Sequence, residues 1–383
     1  MIEFIKEVIS KFGGRYYGSE QEKNAQIYTK NILEKYCSKT DIVPFNSALE
    51  AHFQSLKLFC AVYVFSLIVF KFSIPFAAIL SVVNTILFIG HFVTYRHWLD
   101  FLFTAKTSYN VIGDIEPTET ALSTLIIAGH IDSVKEFKWW YKLKQTGAVL
   151  TVIAGLLFPL LSIFMVTAFF INTDWVQFVW GLFLLTSPIL IVYFNMHGER
   201  VVDGASDNLT GVAMAVEMAK VFSVIKLKNT RIRCISFGAE EAGLRGSWAY
   251  VKANKKQLLE EKAFLINLDS IKDLEHLTIG TQEANTLVNY NPALIEKLEQ
   301  SFQAMEVPVK KLPLYIGATD ASAFMMNGLP ALNIIGLNSR RMDPIYHTRL
   351  DNMDNLDGVA MNALKKVLIH FIANLDKQHY QKR

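Results

Sequence analysis

The sequence predicts an α/β protein: a mixed, largely parallel sheet sandwiched by helices, with four transmembrane helices inserted as two hairpins. Three observations carry that reading. Short β-rich apolar runs alternate with helical patterns. Several long stretches contain no charged residue. Acidic residues and histidines arrive directly after the strand-like runs, where open α/β sheets bind ligands.

The elements follow in order. Glu20 to Tyr36 reads as an amphipathic helix and Leu122 to Ala128 as a buried strand. Asn208 to Phe222 has a helical period, with Val212, Val216 and Ala219 on one face. Arg231 to Phe237, Phe264 to Leu268 and Ala331 to Ile335 read as strands. Strands separated by helices favour parallel pairing.

Between these elements sits the apolar excess. The chain has 383 residues, 51% of them hydrophobic, only 19% charged and 27 of them Phe. Ordinary soluble domains run at about 25% charged, so disordered, collagen-like and coiled-coil classes are excluded and a wholly soluble protein is disfavoured. No Asp, Glu, Lys or Arg occurs from Phe72 to Tyr95, from Gln145 to Thr173 or from Trp175 to Gly198. A bilayer core takes about 20 apolar residues in a helix. Leu58 to Phe70 is shorter, but Lys57 and Lys71 at its ends have stems long enough to reach the interface. The expected spans are 55–71 with 74–94, and 147–171 with 175–195, the second pair joined by Asn172-Thr173-Asp174. The hairpins then occupy 55–95 and 147–195, and the polar domain is assembled from 1–54, 96–146 and 196–383. Trp139-Trp140-Tyr141, between Lys138 and Lys142, reads as an interfacial belt leading into the third helix.

Charge sets an expected orientation. Lys57, Arg96, Lys106, Lys135, Lys138, Lys142, Lys144 and Arg200 flank the helices on the polar side, against Lys71 and Asp174 on the other. The positive-inside bias places the polar domain in the cytoplasm. No export signal is read in Met1 to Lys57. Cys37, Cys60 and Cys234 are odd in number and widely spaced, which fits a reducing compartment. A net charge of +3, with no basic stripe among aromatics, argues against nucleic acid as a partner. Oligomeric state is not legible.

His130, Asp132, Asp207, Glu240, Glu241 and Asp269 lie at strand ends or open helices. With His347, they offer imidazole nitrogen and carboxylate oxygen without thiolate, a donor set suited to zinc, manganese or cobalt. A two-metal site needs a bridging carboxylate and at least two further protein ligands for each ion. His130, Asp207, Glu241, Asp269 and His347 supply that number, leaving Glu240 free to act as a base.

The wording around these residues resembles a family. The strings are Ala128-Gly-His-Ile-Asp-Ser133, Gly204-Ala-Ser-Asp-Asn-Leu-Thr-Gly211, Phe237-Gly-Ala-Glu-Glu-Ala-Gly-Leu-Arg-Gly-Ser247, Asn267-Leu-Asp269 and Tyr346-His-Thr-Arg-Leu-Asp351. Gly13-Gly-Arg15 with Gly18-Ser-Glu20 looks like the same family's N-terminal helix-turn-helix. Together they resemble the co-catalytic zinc peptidases typified by bacterial leucyl aminopeptidases, with glutamate carboxypeptidase II and the glutaminyl cyclases as relatives. The resemblance covers the polar sequence and none of the hairpins. It implies a zinc-exopeptidase, phosphorylase/hydrolase-like sheet and two zinc ions per chain. It also implies His130 and Asp269 on one ion, Glu241 and His347 on the other, and Asp207 as bridge. Asp132 would orient His130, Asp351 would do the same for His347, Glu240 would be the general base, and a cis peptide would follow Asp207. The implied activity is aminopeptidase hydrolysis of peptides.

Thr319-Asp-Ala-Ser-Ala-Phe324 looks like the family's substrate-pocket string, with Ala321 where a His is usual. That makes Asp320 a pocket candidate, and Tyr315 a candidate oxyanion donor. His91, inside the second span, reads as a packed polar residue. The second hairpin separates Asp132 from Asp207, a placement that predicts that the insertions keep the site near the bilayer. Two alternatives stand: a one-zinc, glutaminyl-cyclase-like aminoacyltransferase, and a non-catalytic membrane scaffold.

Overall fold

In chain order the strands are β1 (Lys39–Ser47), β2 (Lys106–Ile115), β3 (Ser123–His130), β4 (Lys135–Phe137), β5 (His197–Val201), β6 (Thr230–Phe237), β7 (Phe264–Asp269), β8 (Thr278–Glu283), β9 (Val288–Asn289), β10 (Lys310–Leu314) and β11 (Ala331–Ile335). The structure is a computed structural model describing residues 1–171, 173–337 and 343–381. Among these residues, one sheet runs β1-β2-β6-β3-β7-β11-β8-β10, with β9 on β8, while β4 and β5 pair separately.

The four central strands, β6, β3, β7 and β11, are mutually parallel. Their residues are almost all buried, which explains why they read as continuous apolar runs rather than alternating ones. The antiparallel pairings lie towards the edges, at β1–β2, β2–β6, β11–β8 and β8–β9. Register then sets the site: His130 faces Phe237 across β3–β6 and Ala128 faces Asn267 across β3–β7, so the three strands end level.

The helix Leu209–Val224 lies directly on this end of the sheet. A Cβ on Gly129 would come within 2.6 Å of the Gly211 backbone, and one on Gly211 within 2.3 Å of the Leu268 carbonyl. Only paired glycines allow that approach, and it brings the residues just before the helix over the strand ends. The expected helix at Glu20 to Tyr36 is found as Glu20–Leu33.

The chain divides into two compact units. One comprises Met1–Leu49, Ala105–Lys135 and Arg200–Arg383 and holds the sheet; the other comprises Glu50–Thr104 and Glu136–Glu199. Among the described residues, the second contains four helices long and apolar enough to cross a bilayer: Ala51–Val69, Ile74–Val93, Gln145–Phe170 and Asp174–Phe194. The first of these begins four residues before the expected span. Of the connector in the second hairpin, Asn172 lies outside the described residues.

Polar side chains tie these helices together, as expected where apolar packing alone discriminates poorly. Thr85 Oγ1 and Ser162 Oγ are 2.7 Å apart, Ser162 Oγ donates to the Ser81 carbonyl at 2.7 Å, and Asn84 donates to the Phe59 carbonyl at 3.0 Å. His91 is buried, accepting from Leu99 N–H at 3.1 Å on Nδ1, with Nε2 3.2 Å from the Ala51 carbonyl. That pairing selects the neutral Nε2–H tautomer.

Candidate metal centre

Five segments supply the cluster. His130 ends β3, Asp269 ends β7, and Glu240 and Glu241 follow β6 on a turn through Gly238 and Ala239. Asp207 precedes the helix Leu209–Val224, and His347 lies beyond β11 with φ of 54°. The Asp207–Asn208 peptide is cis.

Asp207 lies at the centre. Its Oδ1 is 3.2 Å from His130 Nε2 and its Oδ2 is 3.2 Å from His347 Nε2. On the far side, Glu241 Oε2 is 3.0 Å from His347 Nε2, and Glu240 Oε2 is 3.6 Å from His130 Nε2. The candidate ligand atoms fall into two trios, His130 with Glu240 and Asp269, and Asp207 with Glu241 and His347, each within 4.8 Å. A single carboxylate facing an imidazole with each oxygen is the arrangement a bridging ligand needs.

Other residues hold these side chains in place. Asp132 accepts the backbone N–H of both Glu240 and Glu241 at 3.0 Å. His130 Nδ1 lies 3.2 Å from the Asp132 carbonyl and 3.5 Å from its carboxylate, so one residue orients the imidazole and both glutamates. The carboxylate of Asp351, the residue the resemblance implies for orienting His347, accepts from Ser206 N–H at 2.7 Å and Asp207 N–H at 3.0 Å. Asn208 bridges to the Asp269 segment, donating to the Leu268 carbonyl at 2.8 Å and accepting from Ser270 N–H at 3.3 Å.

Three supporting residues were not singled out from the sequence. Arg15 is fully buried and donates to the carbonyls of Gly13, Ile131, Asp203 and Gly204, joining the loop after His130 to the loop before Asp207. Glu22 accepts from Gly18 N–H, Ser108 Oγ and Ala239 N–H, the last of these next to Glu240. In sequence Ser19-x-x-Glu22 reads as a helix capping box, and nothing local shows its reach to residue 239. Glu283 accepts from Thr319 N–H, Thr319 Oγ1, Ser322 Oγ and Tyr290 OH, fixing the turn that begins the Asp320–Met325 helix.

The electrostatics are those of an acid-rich interior. Burial pushes the Asp269 carboxyl up to about 7, and Asp207 adds to the shift. Burial likewise raises Asp320 and Asp351 to about 7 and holds Glu240 well above the usual carboxylate range. Burial opposes charging of His347, but Glu241 and Asp207 outweigh it and raise the imidazole to about 10. Asp207 goes the other way: burial works against its charge, yet the two histidines hold it far below the ordinary value.

Such a concentration of buried carboxylate calls for cations. Glu241 Oε1 is buried with no hydrogen-bond partner among the described residues, and Asp320 is buried with Ser247 beside its carboxylate. Carboxylate oxygens accept only, so a cation or a donor on a ligand would satisfy Glu241 Oε1. Two imidazoles, several carboxylates and no thiolate fit zinc, manganese or cobalt. Asp320 is buried beside this cluster; Tyr315 is 61% exposed beyond β10, and no described contact links it to the cluster.

Comparison with known proteins gives a family match over part of the chain. Residues 188–372 match the family described as Peptidase family M28, a range that includes every residue of the cluster except His130 and Asp132. Aminopeptidase YwaD of Bacillus subtilis is 26% identical over 174 residues, covering 43% of this chain and 37% of that protein. The chain therefore spans about two fifths of the curated relatives it matches. Among solved structures, a zinc aminopeptidase of Bacillus subtilis has a TM-score of 0.59 at 15% identity, covering 98% of this chain and 94% of that one. A glutaminyl cyclase from an Acidobacteriales bacterium has the same TM-score and coverage at 12% identity. At such identities the likeness is one of fold.

Proposed function

We propose, from the match of residues 188–372 to Peptidase family M28, that this chain is a membrane-embedded, zinc-dependent aminopeptidase removing N-terminal residues from peptides. One observation carries the reading: Asp207 faces His130 and His347 with separate oxygens, each at 3.2 Å. We assign His130 and Asp269 to one zinc ion, Glu241 and His347 to a second, and Asp207 to both, with manganese or cobalt as substitutes. When bound, the ions supply Lewis-acid polarisation of the scissile carbonyl and lower the pKa of water.

The chain's own residues do the rest. Glu240 takes a proton from the attacking water and returns it to the leaving amine. Burial holds its carboxyl well above the ordinary range against the pull of His130, which suits a group that must both hold and release a proton near neutrality. Asp132 positions His130 and the glutamate pair, and Asp320, buried and close enough to Glu240 to raise its carboxyl, belongs to the substrate side. Tyr315 remains a candidate oxyanion donor only if its exposed loop closes over the substrate.

The four apolar helices support a multi-pass membrane protein with lipid as its surroundings, and the basic residues flanking them support a cytoplasmic peptidase domain. A one-metal glutaminyl-cyclase-like transferase is the second reading, favoured by the fold likeness; the paired trios favour two metals.

Metal analysis with an N-terminal peptide library, on wild type and Glu240→Gln, tests both readings. Two equivalents of metal in each protein are expected, with hydrolysis reduced at least about 100-fold in the variant. Equal hydrolysis would remove Glu240 as base, whereas one equivalent with cyclisation of N-terminal glutamine would favour the transferase.

A further inference from the structure

After the second apolar helix the chain does not simply leave it. Tyr95 and His97 have φ of 55° and 60°, and the backbone doubles back. The Trp98 ring then lies so near Gly90 that a Cβ there would sit 1.9 Å from it. Leu99 N–H donates to His91 Nδ1 at 3.1 Å, pinning the returning segment to the helix. This segment exposes large apolar side chains: Phe101 is 80% exposed, Leu102 53% and Trp98 49%.

The start of the third helix repeats the device. The short helix Lys138–Leu143 folds against Gln145–Phe170, and Trp140 Nε1–H donates to Thr151 Oγ1 at 2.9 Å. A Cβ on Gly147 would meet the Trp139 carbonyl at 2.2 Å. Ring contacts connect the two places, from Phe92 to Phe53 at 6.2 Å, Phe53 to Phe137 at 5.8 Å and Phe137 to Trp140 at 5.0 Å. Both folded-back segments therefore lie at one end of the helical unit.

Charge identifies the partner. Residues 96–103 and 138–144 contain Arg96, Lys138, Lys142 and Lys144 against a single acid, Asp100. Arg96, Lys142 and Lys144 are exposed, and Lys138 Nζ sits 4.8 Å over the Trp139 ring. A second copy of the chain would bring the same positive face against itself. A bilayer interface matches both halves: aromatic and aliphatic side chains enter at headgroup depth, and cations meet lipid phosphate.

We propose that the Arg96–Phe103 and Lys138–Lys144 segments form an interfacial collar that binds anionic lipid headgroups. The proposal rests on the membrane reading of the four helices.

The test uses the full chain in lipid nanodiscs of phosphatidylcholine with or without phosphatidylglycerol, in a Cys37→Ser background. A fluorophore is placed at Phe101→Cys or, separately, at Leu156→Cys, which is 53% exposed in the third helix. The label at 101 is expected to be quenched by lipids with a shallow nitroxide and shielded from an aqueous nickel chelate. Phosphatidylglycerol should be enriched in the lipid retained by the protein, and Lys138→Gln/Lys142→Gln/Lys144→Gln should cut that enrichment by about fivefold or more. A label at 101 open to nickel while that at 156 is quenched by deep nitroxide would overturn the collar and leave the membrane reading intact. Shielding at 101 with a doubled particle mass and no lipid quenching would also overturn it, pointing to a second copy. Unchanged enrichment in the triple variant would overturn the headgroup assignment. If neither label meets lipid, the membrane reading itself fails.

Discussion

Asp132 faces three groups at once, His130 Nδ1 at 3.5 Å and the N–H groups of Glu240 and Glu241 at 3.0 Å each. Asp132→Asn replaces one acceptor oxygen with a donor that confronts an N–H. We expect metal affinity to fall about 10- to 100-fold, measured by competition with a chromogenic chelator; unchanged affinity would reduce Asp132 to packing. The acids around it set a pH dependence. Asp269, Asp320 and Asp351 titrate near 7 in the folded chain, against an ordinary 3.8. The folded state thus keeps protons that the unfolded state has lost, and the metal-free protein loses stability as pH rises from about 4 to about 7. His347, raised to about 10 from 6.5, acts in the same direction up to its own titration. Among these groups Asp269 and His347 are the assigned ligands, and metal binding there requires their protons to leave. The melting-temperature gain from zinc over chelator-treated protein should therefore be larger near about pH 8 than near about pH 5. An equal gain at both would show that these acids are not shifted.

The candidate ligand types were legible because they follow strand-like runs, but their supports were not. Glu22 and Ala239 are more than two hundred positions apart and meet through a single hydrogen bond of 2.8 Å. At the level of elements, the helix Leu209–Val224 and strands β3, β6, β7 and β11 appear close to where the apolar runs put them. β1 and β2 were missed: β1 is exposed or half-buried along its whole length, so it has no period to read, and it contains Pro44. What the pattern did not reveal is how closely the helix approaches the sheet. Gly211→Ala would drive a Cβ to 2.3 Å from the Leu268 carbonyl and 2.7 Å from Asn208 Oδ1. A loss of about 1–3 kcal/mol is expected, read from denaturation in detergent, with Asp207 displaced and zinc weakened. Gly181→Ala, inside the helix Asp174–Thr186 with nothing within 4 Å of the added atom, is the control and should lose no stability, since Ala favours a helix over Gly.

The whole molecule joins a mixed sheet of aminopeptidase-like fold to a unit with four bilayer-length helices. If those helices span a membrane, the protein will stay in the pellet after an alkaline carbonate wash. The orientation is tested by cysteines in intact cells. Asp174→Cys should react with an impermeant reagent from outside, and Lys366→Cys only after permeabilisation; the reverse pattern would turn the protein over.

Composition and local period determined that there is an α/β part, that four helices are apolar over a bilayer's length, and which residue types could hold metal. These are properties of short windows, since a strand's burial and a helix's apolar length depend on neighbours in the chain. The tertiary structure alone decided that Asp207 stands between His130 and His347, that Asp351 holds the Asp207 backbone, and that Trp98 turns back onto Gly90. Such contacts depend on strand order and on where buried N–H groups find acceptors, and both are settled by distant segments packing at once.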